Sequence, residues 1–235
     1  MKEVIVIFPA LNEEETIAKV IDEVPVADLE KKGYRVQIVV VDNGSSDRTG
    51  EIASSKGVRV IVEPRRGKGR AIRTAFESVK GDFVFMLDSD FTYPATSIQP
   101  MLALLEGGYD VVLGSRLKGQ MERGAMRMLN MIGNRLLALT ANILYGTKIS
   151  DLCTGCWGFR GDVIKALKLD AIGFELEANM FIEIAKLGYR IGEVPIPYRK
   201  RRTPSKLSSI QAGYRIGRML ISKRFRRGDH ANSHC

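Results

Sequence analysis

Asp88 and Asp90, one residue apart, follow directly on the apolar run Phe83–Leu87. Two carboxylates so spaced at the end of a strand can share a hard divalent cation. A cation held there would bridge the phosphates of a nucleotide and stabilise a leaving diphosphate. Helix capping does not account for the pair, because Phe91-Thr92-Tyr93-Pro94 intervenes before any helix. Two more polar turns follow apolar runs, Pro9-Ala10-Leu11-Asn12-Glu13-Glu14 and Asp42-Asn43-Gly44-Ser45-Ser46-Asp47. Of their residues, Asn12, Ser46 and Asp47 read as caps and turn formers. A lone Asp-x-Asp occurs by chance in many proteins, so its weight rests on its surroundings.

The elements that must position these turns alternate along the chain. Val4–Phe8, Val36–Val41, Val58–Val62, Phe83–Leu87 and Val111–Leu113 are short continuous apolar runs, the pattern of strands buried on both faces. Helical spacing predicts a helix over 13–24 capped by Asn12, one over 48–55 capped by Asp47, one over 68–79 and one near 96–106. This alternation predicts an α/β fold whose mainly parallel sheet carries helices on both faces. In such sheets ligands sit at the carboxyl ends of the strands, where all three acidic turns fall. No repeat or low-complexity linker divides the chain, so one domain with a C-terminal extension is expected.

Composition closes off several chemistries. The 235 residues are 45% hydrophobic and 27% charged, ordinary for a folded protein. Eleven of the 36 Lys and Arg lie between Arg199 and Arg227 with no acid among them, leaving 25 basic against 27 acidic residues elsewhere. A near-neutral body thus carries a basic C-terminal segment, unlike a uniformly basic nucleic-acid coat. The only histidines, His230 and His234, stand at the end of the chain, which excludes a Ser-His-Asp triad or an HExxH zinc helix in the body. Cys153-x-x-Cys156 lacks the second pair or nearby His of a zinc site and reads as buried thiols beneath Trp157. Gly67-Lys68-Gly69 is not a Walker A loop; Lys68 is expected to open a helix and meet nucleotide or Asp88. The longest apolar stretch, Met126–Tyr145, is broken by Asn130, Asn134, Arg135 and Asn142 and is not a transmembrane helix. An unpaired charge is costly in such a stretch, which argues against an idle Arg135. The N-terminus shows no signal-peptide pattern, and a reducing, cytoplasmic setting is expected.

Taken together, Pro9–Glu13, Asp42–Asp47, Gly67-Lys68-Gly69 and Asp88-Ser89-Asp90 stand in an order and at distances that resemble family 2 glycosyltransferases of the GT-A fold. The resemblance is strongest to the dolichol-phosphate (polyprenyl-phosphate) mannosyl- and glucosyltransferase branch. It continues through Gly114-Ser115-Arg116, Asn134-Arg135, Asp151–Arg160, Gly173–Glu177, Glu193–Pro197 and Ser205-Lys206-Leu207, so it covers roughly residues 4–210. It implies that Pro9, Leu11 (in place of a frequent Tyr) and Glu13 hold the base and ribose of a nucleotide-sugar, with Val40 and Asp42 as the second nucleobase contact. Asp88, Ser89 and Asp90 match the family's DxD, with Asp88 and Asp90 on Mg2+ or Mn2+ and Asp90 the chief ligand. Thr92 stands where some members offer Gln to the metal. Arg116 and Arg135 match phosphate clamps facing donor or acceptor, a task suited to the guanidinium fork. Arg202 and Lys206 lie in a loop that closes over the donor and the lipid phosphate in the family.

A polyprenyl monophosphate is already anionic near neutral pH, because its second pKa is about 6, so no catalytic histidine is needed. Asp90, Arg116 and Arg135 are then expected to carry an inverting transfer, and the 151–160 segment favours a UDP-sugar over GDP-mannose. The alternative is a family 2 enzyme acting on a hydroxyl, with Glu175 or Glu177 as base; otherwise those glutamates cap the next helix. A sugar-nucleotide pyrophosphorylase lacks its Gly-rich loop here, and the third rival is a non-catalytic binder of membrane or nucleic acid. Residues 1–205 are read as the transferase domain, 206–228 as a basic amphipathic helix and 229–235 as a tail. Leu207, Ile210, Tyr214 and Ile221 beside Arg215, Arg218, Lys223 and Arg226 suit an anionic membrane surface on the cytoplasmic face. The other reading of that helix is ordinary packing on the domain; no nucleic-acid motif appears.

Overall fold

The computed structural model describes residues 1–202 and 209–225, with side chains undescribed at 209 and 210. Strand β1 (Lys2–Ala10) leads to helices α1 (Ile17–Asp22) and α2 (Val26–Lys31), then β2 (Tyr34–Asp42), α3 (Thr49–Ser55), β3 (Arg59–Val62), α4 (Lys68–Ser78) and β4 (Phe83–Met86). A 3-10 turn and α5 (Ile98–Glu106) precede β5 (Val111–Ser115) and the long α6 (Met128–Tyr145). The remainder is β6 (Trp157–Arg160), α7 (Gly161–Ala166), α8 (Leu176–Lys186), β7 (Ile191–Pro195) and α9 (Ser209–Phe225).

The strands form one sheet in the order β3-β2-β1-β4-β6-β5-β7. Side chains alternate between its faces: Ile5, Ile7, Val39 and Val41 enter one core with Trp157 and α8, while Val4, Val6, Phe8 and Val40 enter the other with α1 and α5. Burial on both faces is why the strands read as continuous apolar runs. Pairing is parallel except for β6, which runs antiparallel to both β4 and β5. Its register sets Trp157 opposite Met86 and Leu113. The start of β6 therefore joins the same edge as the ends of its neighbours. β7 pairs in parallel with β5, Pro195 opposite Ser115, and sends the chain after it to that edge as well.

The helix expected over 13–24 is shorter, α1 over Ile17–Asp22, and a further helix that the periodicity did not predict, α2, begins directly after Pro25. Asn12 does not cap α1; it holds φ +50 in the turn, and its Oδ1 accepts the Ser46 amide. Asp47 does serve α3, its carboxylate accepting the Thr49 amide and hydroxyl. Helix α9 buries Ile216 and Leu220, packing on α6 and α8, and turns Tyr214, Ile221 and Phe225 outward. Among the described residues no helix is long and apolar enough to cross a membrane.

Candidate active site

The acidic turns meet at one edge, held there by side-chain-to-backbone hydrogen bonds between segments distant in sequence. The Thr16 hydroxyl donates to the Ser89 carbonyl at 2.7 Å, and the Ser89 hydroxyl donates to the Pro9 carbonyl at 2.8 Å. Glu13 is buried beside them, its amide donating to the Thr49 hydroxyl, with Leu11 half-buried in the same loop. Pro9, Leu11, Glu13, Ser89 and Asp90 are thus brought together. Asp42 sits at the end of β2, where its Oδ1 accepts the Ser45 amide. Val40 is a correction: strand alternation turns its side chain fully into the core, so it offers no side-chain contact at the edge.

Asp90 is 7% exposed. Its Oδ1 accepts the Thr92 hydroxyl at 2.6 Å and the Thr92 amide at 3.1 Å, while Oδ2 faces Arg201 Nη1 at 3.1 Å. Burial, and then the neighbouring Asp88 charge, raise its pKa against the pull of Arg201. Thr92 therefore orients Asp90. Asp88 receives Lys68 Nζ at 2.5 Å, and the same ammonium reaches Glu177 at 2.6 Å. Burial alone would lower the Lys68 pKa, but the two carboxylates overcome it and raise it, so the ammonium stays charged. Lys68 is presented by the first turn of α4, which Gly67 opens at φ +140; a Cβ there would stand 2.5 Å from the Ile172 carbonyl oxygen. The turn before it is tied by Asn43, whose amide donates to the carbonyls of Glu63 and Arg65 and whose Oδ1 accepts the Gly67 amide.

Arg116 departs from an open phosphate clamp. It is buried, its Nε and Nη2 donate to the fully buried Asp151 at 2.8 and 2.7 Å, and its guanidinium lies 5.3 Å from the Tyr198 ring centre. Arg135 is a second correction: the apolar stretch around it is surface, so the cost of an unpaired buried charge does not arise. It lines an open hollow of about 250 Å³ with Leu117, Ala138, Leu139, Asn142, Ile149 and Ser150. Arg202 is exposed in the segment following β7, and Lys206 lies outside the described residues. The Glu175 carboxylate accepts its own loop's Gly173 amide at 3.3 Å, whereas Glu177 is committed to Lys68. Burial pushes the Cys153 thiol up to about 12 and Cys156 higher, so both are held as protonated thiols.

Other contributors carried weaker marks in the sequence. Gly155 donates its amide to the Tyr93 hydroxyl and leaves room for Asp88, since a Cβ would stand 2.2 Å from Oδ2. Arg201 was one of four consecutive basic residues and nothing local set it apart. Among the described residues no three His, Cys, Asp or Glu side chains form a complete metal cage. Two carboxylates at a diphosphate site need no such cage, because Mg2+-like ions keep waters and take phosphate ligands.

Residues 5–168 match the model of glycosyl transferase family 2. The chain belongs to that family. A dolichyl-phosphate hexose transferase of Haloferax volcanii is 36% identical over 217 residues, spanning 92% of this chain and 91% of its own. Glycosyltransferase AglJ of the same organism is 37% identical over 84% of this chain, which spans 63% of it. The low-salt glycan biosynthesis hexosyltransferase Agl6 is spanned over 52% of its length. A glucosyl-3-phosphoglycerate synthase of Mycobacterium tuberculosis, solved with Mn2+, UDP-glucose and phosphoglyceric acid, superposes with a TM-score of 0.78 at 23% identity, over 97% of this chain and 82% of that one. The expected GT-A architecture of family 2 is therefore the observed one, with its acidic turns on the expected edge.

Proposed function

We propose that this family 2 chain is an inverting hexosyltransferase that moves a sugar from a nucleotide-sugar to a polyprenyl or dolichyl monophosphate. A UDP-sugar is the favoured donor and GDP-mannose the other, with Mg2+ or Mn2+ at Asp88 and Asp90. The observation that carries the reading is Asp90, a buried carboxylate that already receives a cation, the Arg201 guanidinium, beside the Glu13 turn. A bound divalent cation would supply charge neutralisation for the departing nucleoside diphosphate. Thr92 and Lys68 hold the two aspartates in place, and Glu13, Leu11 and Asp42 line the edge where the nucleoside would lie. The acceptor phosphate oxygen forms the new bond to the anomeric carbon as the diphosphate leaves with the old bonding pair, which inverts that centre.

The commitment of Glu177 to Lys68 supports an acceptor that is already ionised, since a base engaged in a buried ion pair is poorly placed to deprotonate a hydroxyl. Arg135, exposed on α6 without an ion-pair partner among the described residues, is available to an acceptor phosphate, and Arg202 and Lys206 are assigned to it from the family pattern. A bilayer surface fits α6 and α9. Met128, Leu129, Ile132, Leu136, Leu139 and Ile143 of α6 are exposed, and Tyr214, Ile221 and Phe225 of α9 are exposed among Arg215, Arg218 and Arg224. The test is a mass-spectrometric screen of UDP- and GDP-sugars with lipid phosphate and Mg2+ or Mn2+. A glycosyl lipid phosphate should form with wild type and be lost in Asp90→Asn; transfer to a hydroxyl acceptor that requires Glu175 or Glu177 would overturn the acceptor.

A further inference from the structure

Among the described residues, Asn12 and Phe91 are the non-glycine residues with positive φ, at +50 and +63. Asn tolerates that backbone because its short amide can hydrogen-bond locally, and Asn12 does so through the Ser46 amide. An aromatic side chain has no such compensation, and a left-handed residue of this kind persists only where its surroundings hold it. Phe91 stands between Asp90 and Thr92, the two residues joined by the bonds from the Thr92 amide and hydroxyl to Asp90 Oδ1. The segment after β7 supplies the hold. Its backbone is fixed by the Ile196 amide on the Ser115 carbonyl and the Tyr198 amide on the Gln120 carbonyl, and the Arg199 amide donates to the Thr92 carbonyl at 3.0 Å. The Arg199 guanidinium lies 4.3 Å from the centre of the Phe91 ring. Both its terminal nitrogens donate to Glu23, which follows α1, and Glu23 Oε2 also accepts the Ala95 amide at 3.1 Å. One guanidinium and one carboxylate, 176 positions apart, thus grip the turn after Asp90 at its ring and at its far end.

We propose that Arg199 is a positioning residue: anchored by Glu23, it holds Phe91 in the left-handed conformation that fixes the direction of the Asp90 carboxylate. The proposal rests on the donor and metal reading above. The guanidinium stacked on the ring and the tied ends of the turn offset the cost of the backbone. Without them Phe91 relaxes toward negative φ and carries Asp90 away from Thr92. Asp88, held by Lys68 from α4, stays where it is. The loss therefore falls on what Asp90 binds and spares the nucleoside edge at Leu11 and Asp42.

The experiment titrates UDP or GDP calorimetrically into the full chain with and without Mn2+, and the readout is the factor between the two affinities. Arg199→Met should reduce that factor about fivefold, the scale of one cation–π contact, and leave the metal-free affinity unchanged. Phe91→Gly, which adopts φ +63 without strain, should restore most of the factor in the Arg199→Met background. Phe91→Val should lower it further, although valine is the more similar residue, because a β-branched side chain resists positive φ. Arg199→Lys replaces Arg199→Met if thermal unfolding shows the methionine variant misfolded, and it should reduce the factor too, since an ammonium lacks the flat fork that covers the ring and grips both carboxylate oxygens. An unchanged factor in the folded Arg199 variant, or glycine no better than valine at position 91, would overturn the proposal and leave the donor reading standing. No effect of Mn2+ on nucleotide affinity in wild type would overturn both.

Discussion

Gly155 lacks a side chain where Asp88 needs room. Gly155→Ala should push the Asp88 carboxylate away from its Lys68 contact and weaken metal-dependent binding of UDP or GDP by about tenfold, the scale of one charge-assisted hydrogen bond. The melting temperature should move little, because the atom displaced is the end of a side chain; calorimetric titration and thermal unfolding read the two effects separately. Arg116 should behave in the opposite sense. Its bidentate pair with Asp151 is buried, and removing one partner of such a pair costs about 3–5 kcal/mol. Denaturant unfolding of Arg116→Ala should show that loss, so any defect in phosphate binding has to be measured where the variant is still folded.

At the scale of elements, the turn that delivers Lys68 depends on Glu63. Hydrogen bonds from Arg65 and from the Thr74 hydroxyl hold its carboxyl well below the usual glutamate range. A depressed pKa in the folded state stabilises the protein above the unfolded value, about 4.3, and that stability is lost as pH falls through the folded value. Glu63→Gln should therefore be less stable than wild type at pH 7, with the gap closing as acid is added; melting temperatures across that range test it. Helices α6 and α9 pose a different question, since an apolar helix face is ordinarily buried. Replacing Ile132 and Leu136 by Ser should lower binding to anionic vesicles without lowering the melting temperature, as both side chains are exposed. Deleting α9 would not isolate the surface contribution, because Ile216 and Leu220 are part of the core and Lys223 pairs with Asp170.

Over the whole molecule, the proposed contact with a membrane surface would draw separately on the basic C-terminal segment and on the exposed apolar stripe. A Lys or Arg near an anionic surface is worth about 1 kcal/mol, screened over roughly 10 Å at 0.1 M salt. Sedimentation with anionic vesicles should show binding that weakens as salt rises, while neutral vesicles retain a weaker, salt-insensitive portion. The sequence by itself determined the alternation of strands and helices, the two-faced burial of the sheet and the edge that carries Pro9–Glu13, Asp42 and Asp88–Asp90. These are local properties: burial on both faces is written into each strand's composition, and a polar turn must follow where the strand ends. Only the tertiary structure decided that the four-residue β6, with Gly158 inside it, inserts antiparallel between β4 and β5. It alone joined Lys68 to Glu177 across 109 positions and Arg201 to Glu13 across 188. It also turned the apolar face of α6 to the surface, leaving Arg135 exposed, and sank Arg116 onto Asp151. Hydropathy records how apolar a helix face is and carries no mark of what covers it, and a charge pair closed by the fold leaves no periodicity in the chain.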